Sequence, residues 1–212
     1  MAPEQTPRPE RADAARNRRI LLATAREMLA ALGADRLTMD ALAERSGLGK
    51  GTVFRRFSTR AGIFRALLDE DERVFQERVL SGPPPLGPGA GPVERLVAYG
   101  RARAAYLMEH REIARAALDG RQQVPAGAQT PLNQIHLRML LGRMDIGPAN
   151  LDVLAVQLSA ALDGPFLLYL SAADLGHAAS EIERRMADSW EDLVLRVCRP
   201  RPPTRGGGPS ER

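Results

Sequence analysis

One segment near the middle of this chain limits its architecture more than any other feature. Residues 81–92 (SGPPPLGPGAGP) contain five proline and four glycine residues in twelve positions. Proline removes a backbone donor and fixes φ, and glycine loses much conformational entropy on folding, so the segment favours neither helix nor strand. We therefore predict a linker at 81–92 that separates two structural modules.

On both sides of this linker, apolar residues recur at the three- and four-residue spacing of amphipathic helices. The predicted helices span 13–32, a short stretch after Thr38, 50–57, 58–80, 93–109, 112–118, 131–144, 149–171 and 175–197. Only 4% of the residues are aromatic, and β-rich chains draw on aromatic and β-branched residues. The predicted fold class is therefore all-α, with about nine helices and no strand.

The two ends of the chain have the composition of disordered segments. Residues 1–12 and 199–212 are rich in proline and charge and have no apolar period. The first residues lack the apolar stretch of a signal peptide, and the most apolar helix is interrupted by two aspartates and a proline. Cys198 is the single cysteine, which excludes an intramolecular disulfide. We expect a cytoplasmic protein with no membrane contact.

Charge is distributed unevenly along the chain. Residues 1–60 contain twelve Lys/Arg against seven Asp/Glu, and residues 200–212 carry a net charge of +2, whereas 61–199 carry −3. A basic front on a mildly acidic body indicates a polyanionic partner for the first segment. A basic tail that only aids solubility is the alternative that charge alone leaves open.

Two short helices meet at a tight turn in the first module. Thr38 is a good N-cap for the earlier helix, and Gly47-Leu48-Gly49 ends that helix within three residues. Gly47 can adopt the positive φ that this turn requires, and Leu48 can point back into the small core. The next helix, 50–57, is then able to present one face to a DNA major groove. The arrangement predicts a helix-turn-helix that binds double-stranded DNA.

The outward face of helix 50–57 carries side chains suited to DNA. Its members are Lys50, Gly51, Thr52, Phe54, Arg55 and Arg56. Arginine can donate two hydrogen bonds to guanine, threonine can contact a phosphate or a thymine methyl, and glycine allows close approach to the backbone. Lys50 is the one lysine in a chain with 29 arginines. These six residues are the predicted DNA contacts.

The segment Leu37–Leu68 (LTMDALAERSGLGKGTVFRRFSTRAGIFRALL) resembles the signature of the TetR/AcrR family of transcriptional regulators. The resemblance implies an N-terminal three-helix helix-turn-helix domain and a C-terminal helical ligand-binding and dimerisation domain. By position, it implies that Thr38 holds a phosphate, that Gly49–Gly51 form the turn and the start of the recognition helix, and that Thr52 contacts a phosphate. It also places Thr38, Gly49 and Arg60, which stands where the family has a lysine, among the DNA-binding residues.

Three positions depart from the family pattern. Phe54 stands where a tyrosine is usual and lacks its hydroxyl, so we expect it to pack against sugar or a thymine methyl. Arg56 replaces a histidine and adds a full charge, which should steepen the salt dependence of DNA binding. Gly49 stands where serine is common and caps the helix more weakly, at a cost of a few tenths of a kcal/mol.

The domain organisation follows from the linker, the helices and the resemblance. We predict a disordered arm at 1–12, a DNA-binding domain at 13–60, a connecting helix at 61–80, the linker at 81–92, a ligand-binding and dimerisation domain at 93–198 and a disordered tail at 199–212.

The helix 149–171 is apolar on nearly every face, and such a helix must be covered on all sides. A partner subunit is a natural source of that cover, so we predict that the last two helices pair with their symmetry mates in a four-helix bundle. The predicted interface residues are Leu158, Leu162, Met186, Trp190 and Leu193. A central helix buried inside a monomer remains the alternative.

A small-molecule site requires polar groups on otherwise apolar faces. The candidate effector-binding residues are Tyr106, His136, Met139, Asp163 and Phe166. Each of them could equally be a core residue. Pro165 lies inside the predicted helix and should bend it beside Asp163, which is compatible with a pocket edge or with simple packing.

Together these features predict a ligand-responsive repressor that binds a palindromic operator as a homodimer and is released by a small molecule. The alternative is a helix-turn-helix regulator without a small-molecule sensor, controlled by a protein partner or by concentration. An enzyme is not expected, because the three histidines belong to no catalytic or metal-binding motif. We accordingly predict no metal and no cofactor.

Overall fold

The computed structural model describes residues 8–118, 131–171 and 178–198. These residues form nine α-helices and contain no strand, in agreement with the predicted fold class. The helices are α1 Arg8–Leu32, α2 Met39–Ser46, α3 Lys50–Phe57, α4 Arg60–Ser81, α5 Pro92–Glu109, α6 Arg111–Ala117, α7 Pro131–Leu141, α8 Leu151–Ser171 and α9 Ala179–Val197. Among the described residues, no helix is long and apolar enough to cross a membrane.

Several helix ends differ from the expected ones. α1 begins at Arg8, so residues 8–12, which we expected to be disordered, are helical. Thr59 rather than Ser58 caps α4, because the Thr59 hydroxyl accepts from the Gly62 amide at 3.0 Å, whereas Ser58 ends α3 with φ 61°. The predicted tail at 199–212 and residues 1–7 of the predicted arm lie outside the described residues.

The contacts divide the chain into two compact units. One comprises Met1–Phe75 and Glu109–Gln129, and the other comprises Gln76–Met108 and Thr130–Arg212. The division therefore falls within α4 and assigns α6 to the first unit, whereas we had expected a boundary at 81–92.

The core of the first unit is built from α1 to α4. Its fully buried side chains include Leu21, Ala25, Met28, Leu37, Leu42, Val53, Ile63, Phe64 and Leu67. α1 and α4 each contribute residues spaced three or four apart, which is the pattern of an amphipathic helix with one covered face. At the edge of this core, Asp71 of α4 lies 2.5 Å from Arg26 of α1 and 3.1 Å from His110, which precedes α6.

The second unit is centred on α5, α7, α8 and α9. The Trp190 indole of α9 is buried and donates a hydrogen bond at 2.8 Å to the Leu96 carbonyl of α5. Gly100 lies under the same ring: a Cβ at this position would be 2.0 Å from the Trp190 Nε1 atom. Arg101 reaches Asp188 and Glu191 from the outer side, at 3.0 and 2.5 Å. These contacts fix α9 against α5.

Candidate functional site

Local hydrogen bonds fix the turn between α2 and α3. The Thr38 hydroxyl accepts from the Ala41 amide at 3.1 Å and so caps α2, as the sequence predicts. Gly47 ends α2 with φ 69°, a left-handed conformation that glycine adopts without steric cost. Ser46 then bridges the turn, because its hydroxyl donates to the Ala43 carbonyl and accepts from the Leu48 amide. The start of α3 is thereby held in place.

One face of α3 is anchored in the core and the other is exposed. Val53 and Phe57 are buried, with 0% and 6% of their surface exposed. The opposite face carries Gly51, Phe54, Arg55 and Arg56, all exposed, with Thr52 half-buried at its edge. Neither arginine pairs with an acidic side chain in the part of the chain that the structure describes. α3 therefore presents two uncompensated positive charges to solvent.

Lys50 is the exception on this face, because its ammonium lies 2.7 Å from the Asp40 carboxylate of α2. Both side chains are about two-thirds exposed or more, at 71% and 67%. An exposed ion pair of this kind contributes at most about 1 kcal/mol. A phosphate can therefore compete with Asp40 for Lys50 at little cost.

Arg60 stands at the start of α4, and its guanidinium makes contacts within the protein. Its guanidinium donates to the Leu37 carbonyl at 2.8 Å and to the Ala34 carbonyl at 2.6 Å, and it lies over the Phe64 ring at 5.0 Å. These carbonyls belong to the connection between α1 and α2. Arg60 thus ties this connection to the start of α4 through two of its three guanidinium nitrogens.

We expect Arg60→Lys to lower the stability of the first unit by about 1 kcal/mol, because a lysine keeps the charge but cannot donate to both carbonyls. Urea denaturation measures the change. Arg55→Lys is the matched control, since Arg55 has no such contacts, and it should unfold like the parent protein. An Arg60→Lys variant that is as stable as the parent would contradict this structural role.

The N-terminal half of α1 lies beside α3, and the sequence pattern did not predict this neighbourhood. A groove of about 240 Å³ is lined by Ala14, Asn17, Arg18, Leu21, Thr52, Arg55 and Arg56. A second groove of about 750 Å³ is lined by Arg19, Arg26, Arg56 and Arg73 together with Glu70 and small or apolar residues of α1. Arg18 and Arg73 pair with Glu70, whereas Arg19 has no acidic partner among the described residues. The three arginines at positions 16, 18 and 19 were the sequence signal that could have indicated this basic surface of α1.

The predicted effector residues belong to the second unit, where three of them lie in two groups. Arg103 of α5, which is buried, lies 3.7 Å from the Asp163 carboxylate and over the Tyr106 ring at 5.0 Å. His136 is buried beside Tyr99, with their ring centroids 5.6 Å apart. Of the other two candidates, Phe166 is a buried side chain of α8, and Met139 is half-buried on α7.

Sequence reasoning missed two buried cations here. Arg95 and Arg103 of α5 are 5% and 2% exposed. They lie eight residues apart and in register with Tyr99, so all three occupy one face of α5. That spacing on an otherwise apolar face was the signal that could have identified them.

The pKa of His136 is lowered to about 4, because burial disfavours the imidazolium and because Arg95 and Arg143 add positive charge nearby. The unfolded chain, with a histidine pKa near 6.5, binds a proton between pH 6.5 and 4 that the folded chain does not. Stability should therefore fall across this window, by about 3 kcal/mol at pH 4 relative to pH 7.

Urea denaturation at pH 7 and pH 4 gives the free energy of unfolding of the parent and of His136→Gln. The loss in the parent minus the loss in the variant isolates the contribution of His136, because the other titrating groups contribute equally to both. Equal losses in both proteins would contradict the assignment.

The predicted dimer residues require a correction. Leu158, Leu162 and Trp190 are each only 2% exposed within a single chain. Their faces are already covered by their own subunit, so they cannot form a contact surface for a partner. Met186 and Leu193 are half-buried on α9.

The outer face of α8 carries a different set of apolar residues. Val153 and Val156 are 50% and 48% exposed, and Ala160 and Ala161 are exposed on the same side of the helix. This explains why α8 is apolar all round: one face packs in the subunit core and the other has no cover within the described residues.

An exposed basic helix, fixed by a glycine turn on a three-helix core, defines a helix-turn-helix DNA-binding domain. Residues 21–67 match the family described as "Bacterial regulatory proteins, tetR family". The match spans α2, α3 and parts of α1 and α4, so this segment of the chain is similar to the corresponding segment of those bacterial regulators.

Solved structures share the fold over nearly their whole length. A TetR-family regulator from Pectobacterium atrosepticum is 19% identical with a TM-score of 0.69, and the match covers 90% of this chain and 99% of that one. One from Mesorhizobium loti is 18% identical with a TM-score of 0.58, covering 87% and 97%. A TetR variant from Acinetobacter baumannii, in complex with minocycline, is 18% identical with a TM-score of 0.57, covering 85% and 97%. No curated protein matches the sequence.

Proposed function

We propose that the protein is a repressor that binds a palindromic operator as a homodimer and is released by a small molecule. The observation that carries the DNA-binding part is the exposed face of α3, where Arg55 and Arg56 have no acidic partner among the described residues. Two solvated guanidinium groups on a helix narrow enough for the major groove suit guanine edges and phosphates. Arg60, in contrast, supports the domain from within.

The neighbouring α1 residues extend this surface. Asn17 and Arg18 share a groove with Thr52, Arg55 and Arg56, so a duplex that contacts α3 would also come close to α1. We infer that this part of α1 holds the phosphate backbone and sets the position of α3, while α3 reads bases. Because transcription takes place where the chromosome lies, we assign the protein to the cytoplasm.

The uncovered apolar stripe of α8 supports a dimer. Val153, Val156, Ala160 and Ala161 follow each other at helical spacing, and small residues among them allow a close approach of two helices. A twofold axis at this stripe would give the two α3 helices the symmetry of a palindromic operator.

We expect Val156→Glu to convert the dimer into a monomer at micromolar protein, because the change places a charge in an apolar contact. Light scattering after size exclusion measures the mass. Val74→Glu is the matched control, since Val74 is also 48% exposed but lies on α4 in the first unit. A parent protein that is monomeric at this concentration, or a dimeric Val156→Glu variant, would contradict the proposed interface.

The sensing function is assigned to the second unit. The A. baumannii structure holds minocycline, so a fold of this kind can accommodate a small molecule. α4 continues from the first unit into the second, and a ligand that displaces α4 would change the spacing of the two α3 helices. Coupling of this kind is typically about 1–3 kcal/mol.

Transcription in vitro tests the repressor role. A promoter that overlaps the operator should give less transcript as the parent protein is added, and the Arg56→Ala variant should leave the transcript level unchanged. An increase in transcript would identify an activator. Binding without any effect on transcription would contradict both roles.

A further inference from the structure

Two side chains in the second unit are buried without an acidic partner. Arg95 of α5 is 5% exposed and His136 of α7 is 4% exposed. Neither forms an ion pair in the described part of the chain, and the charged groups that act on them are cations, including Arg143 beyond the end of α7. An arginine is almost never fully buried unless an anion accompanies it. The charge of Arg95 is therefore uncompensated within the described residues.

The same two side chains hold hydrogen-bonding atoms that have no partner. One N–H of Arg95 donates at 3.2 Å to the Val79 carbonyl, one of the last carbonyls of α4, and this contact holds the guanidinium in place. The Nε atom of Arg95 and both ring nitrogens of His136 are buried and have no hydrogen-bond partner within residues 8–118, 131–171 and 178–198. Because His136 is neutral at pH 7, one of its nitrogens carries a proton. Two donors are thus available, one on a cation and one on a neutral ring.

The surroundings of this pair are apolar and aromatic. The Tyr99 ring lies beside the His136 ring. The Trp190 ring is a further neighbour of Tyr99, and the centroids of these two rings are 6.4 Å apart. Arg143 follows His136 by seven residues and is exposed, so the positive groups extend from the interior to the surface. Such a path would attract an anion toward the buried pair.

We propose that Arg95 and His136 form the anion-binding subsite of the effector site and that the effector is a carboxylic acid with an apolar body. Two donors match the two oxygens of one carboxylate, and a single negative charge neutralises Arg95. A phosphate dianion would bring a second charge and further oxygens that these donors do not satisfy. The apolar body would contact the aromatic side chains. This inference rests on the proposed ligand-responsive function.

Matched probes test the chemical class on the parent protein. Octanoate and phenylacetate are compared with octanamide and phenylacetamide, which have the same shape but no charge, and with inorganic phosphate, which has charge but no apolar body. We expect each acid at a saturating concentration to raise the melting temperature by about 5 °C. The two amides and phosphate should leave it unchanged.

Variants then locate the binding. Arg95→Gln and His136→Gln should each weaken acid binding at least tenfold by titration calorimetry, whereas Arg101→Gln, which removes an exposed charge from the same helix, should bind like the parent. Circular dichroism identifies any variant that fails to fold. The comparison of acids with amides uses only the parent protein, so it tests the proposal even if a variant does not fold.

The proposal is overturned if the amides stabilise the protein as well as the acids do, if no acid binds, or if both glutamine variants retain parent affinity. These outcomes differ from a failure of the proposed function. Release of operator DNA by an uncharged molecule would preserve the ligand-responsive repressor and reject the acid. Operator binding that no small molecule affects would reject both.

Discussion

Arg56→Ala is expected to weaken operator binding by about 30-fold or more at physiological salt. Loss of one arginine contact to DNA typically costs about 1–3 kcal/mol, and a dimer loses two such contacts. Arg56 is exposed and has no acidic partner in the described part of the chain, so the variant should fold like the parent. Fluorescence anisotropy with a labelled operator duplex measures the affinity, and the slope against salt concentration should become shallower.

The matched control for this variant is Arg115→Ala, which removes an exposed arginine of the same unit from α6. It should bind the operator like the parent protein. Lys50→Ala should also weaken binding, although its partner Asp40 already compensates the lysine in the absence of DNA. If Arg56→Ala and Lys50→Ala both kept parent affinity, the assignment of α3 as the recognition helix would be wrong.

Gly100→Ala is expected to destabilise the second unit by about 2–4 kcal/mol. The added methyl group would lie 2.0 Å from the Trp190 Nε1 atom, so the indole must move. Overpacking of a core costs about 1–3 kcal/mol, and displacement of the indole also breaks its hydrogen bond to Leu96, which is worth about 1 kcal/mol. Chemical denaturation followed by tryptophan fluorescence measures both the stability and the change around Trp190, the single tryptophan.

Two comparisons make this test specific. Gly164→Ala applies the same change inside α8, where nothing lies within 4 Å of the new methyl group, and it should stabilise the helix slightly. In a Trp190→Leu background, whose unfolding is followed by circular dichroism because no tryptophan remains, Gly100→Ala should cost much less, since the smaller side chain leaves room for the methyl group. An equal cost in both backgrounds would show that the ring does not cause the effect.

The sequence was sufficient for those parts of the fold that depend on neighbouring residues. α3 spans 50–57 as predicted, Thr38 caps α2, and Gly47 takes the positive φ of the turn. Caps, turns and the helical period are local properties, so one segment of sequence specifies them.

Contacts between distant residues were beyond such reasoning. Arg60 was predicted among the DNA-binding residues from its position alone, and only the structure shows that it reaches the carbonyls of Ala34 and Leu37. Because α8 is apolar on every face, its period could not tell which side packs in the subunit, and the residues first chosen for the interface, such as Leu158, were the inner ones. Arg95 escaped notice because a buried arginine with no acidic partner, as it stands among the described residues, contradicts the usual expectation.

Selection of DNA from a random duplex pool with the purified protein tests the central claim most directly. A dimer that reads DNA with two α3 helices should enrich an inverted repeat whose half-sites lie about one helical turn or more apart. The Arg56→Ala variant should fail to enrich that repeat. A pool that remains random after selection with the parent protein, or an enriched site without twofold symmetry, would contradict the account.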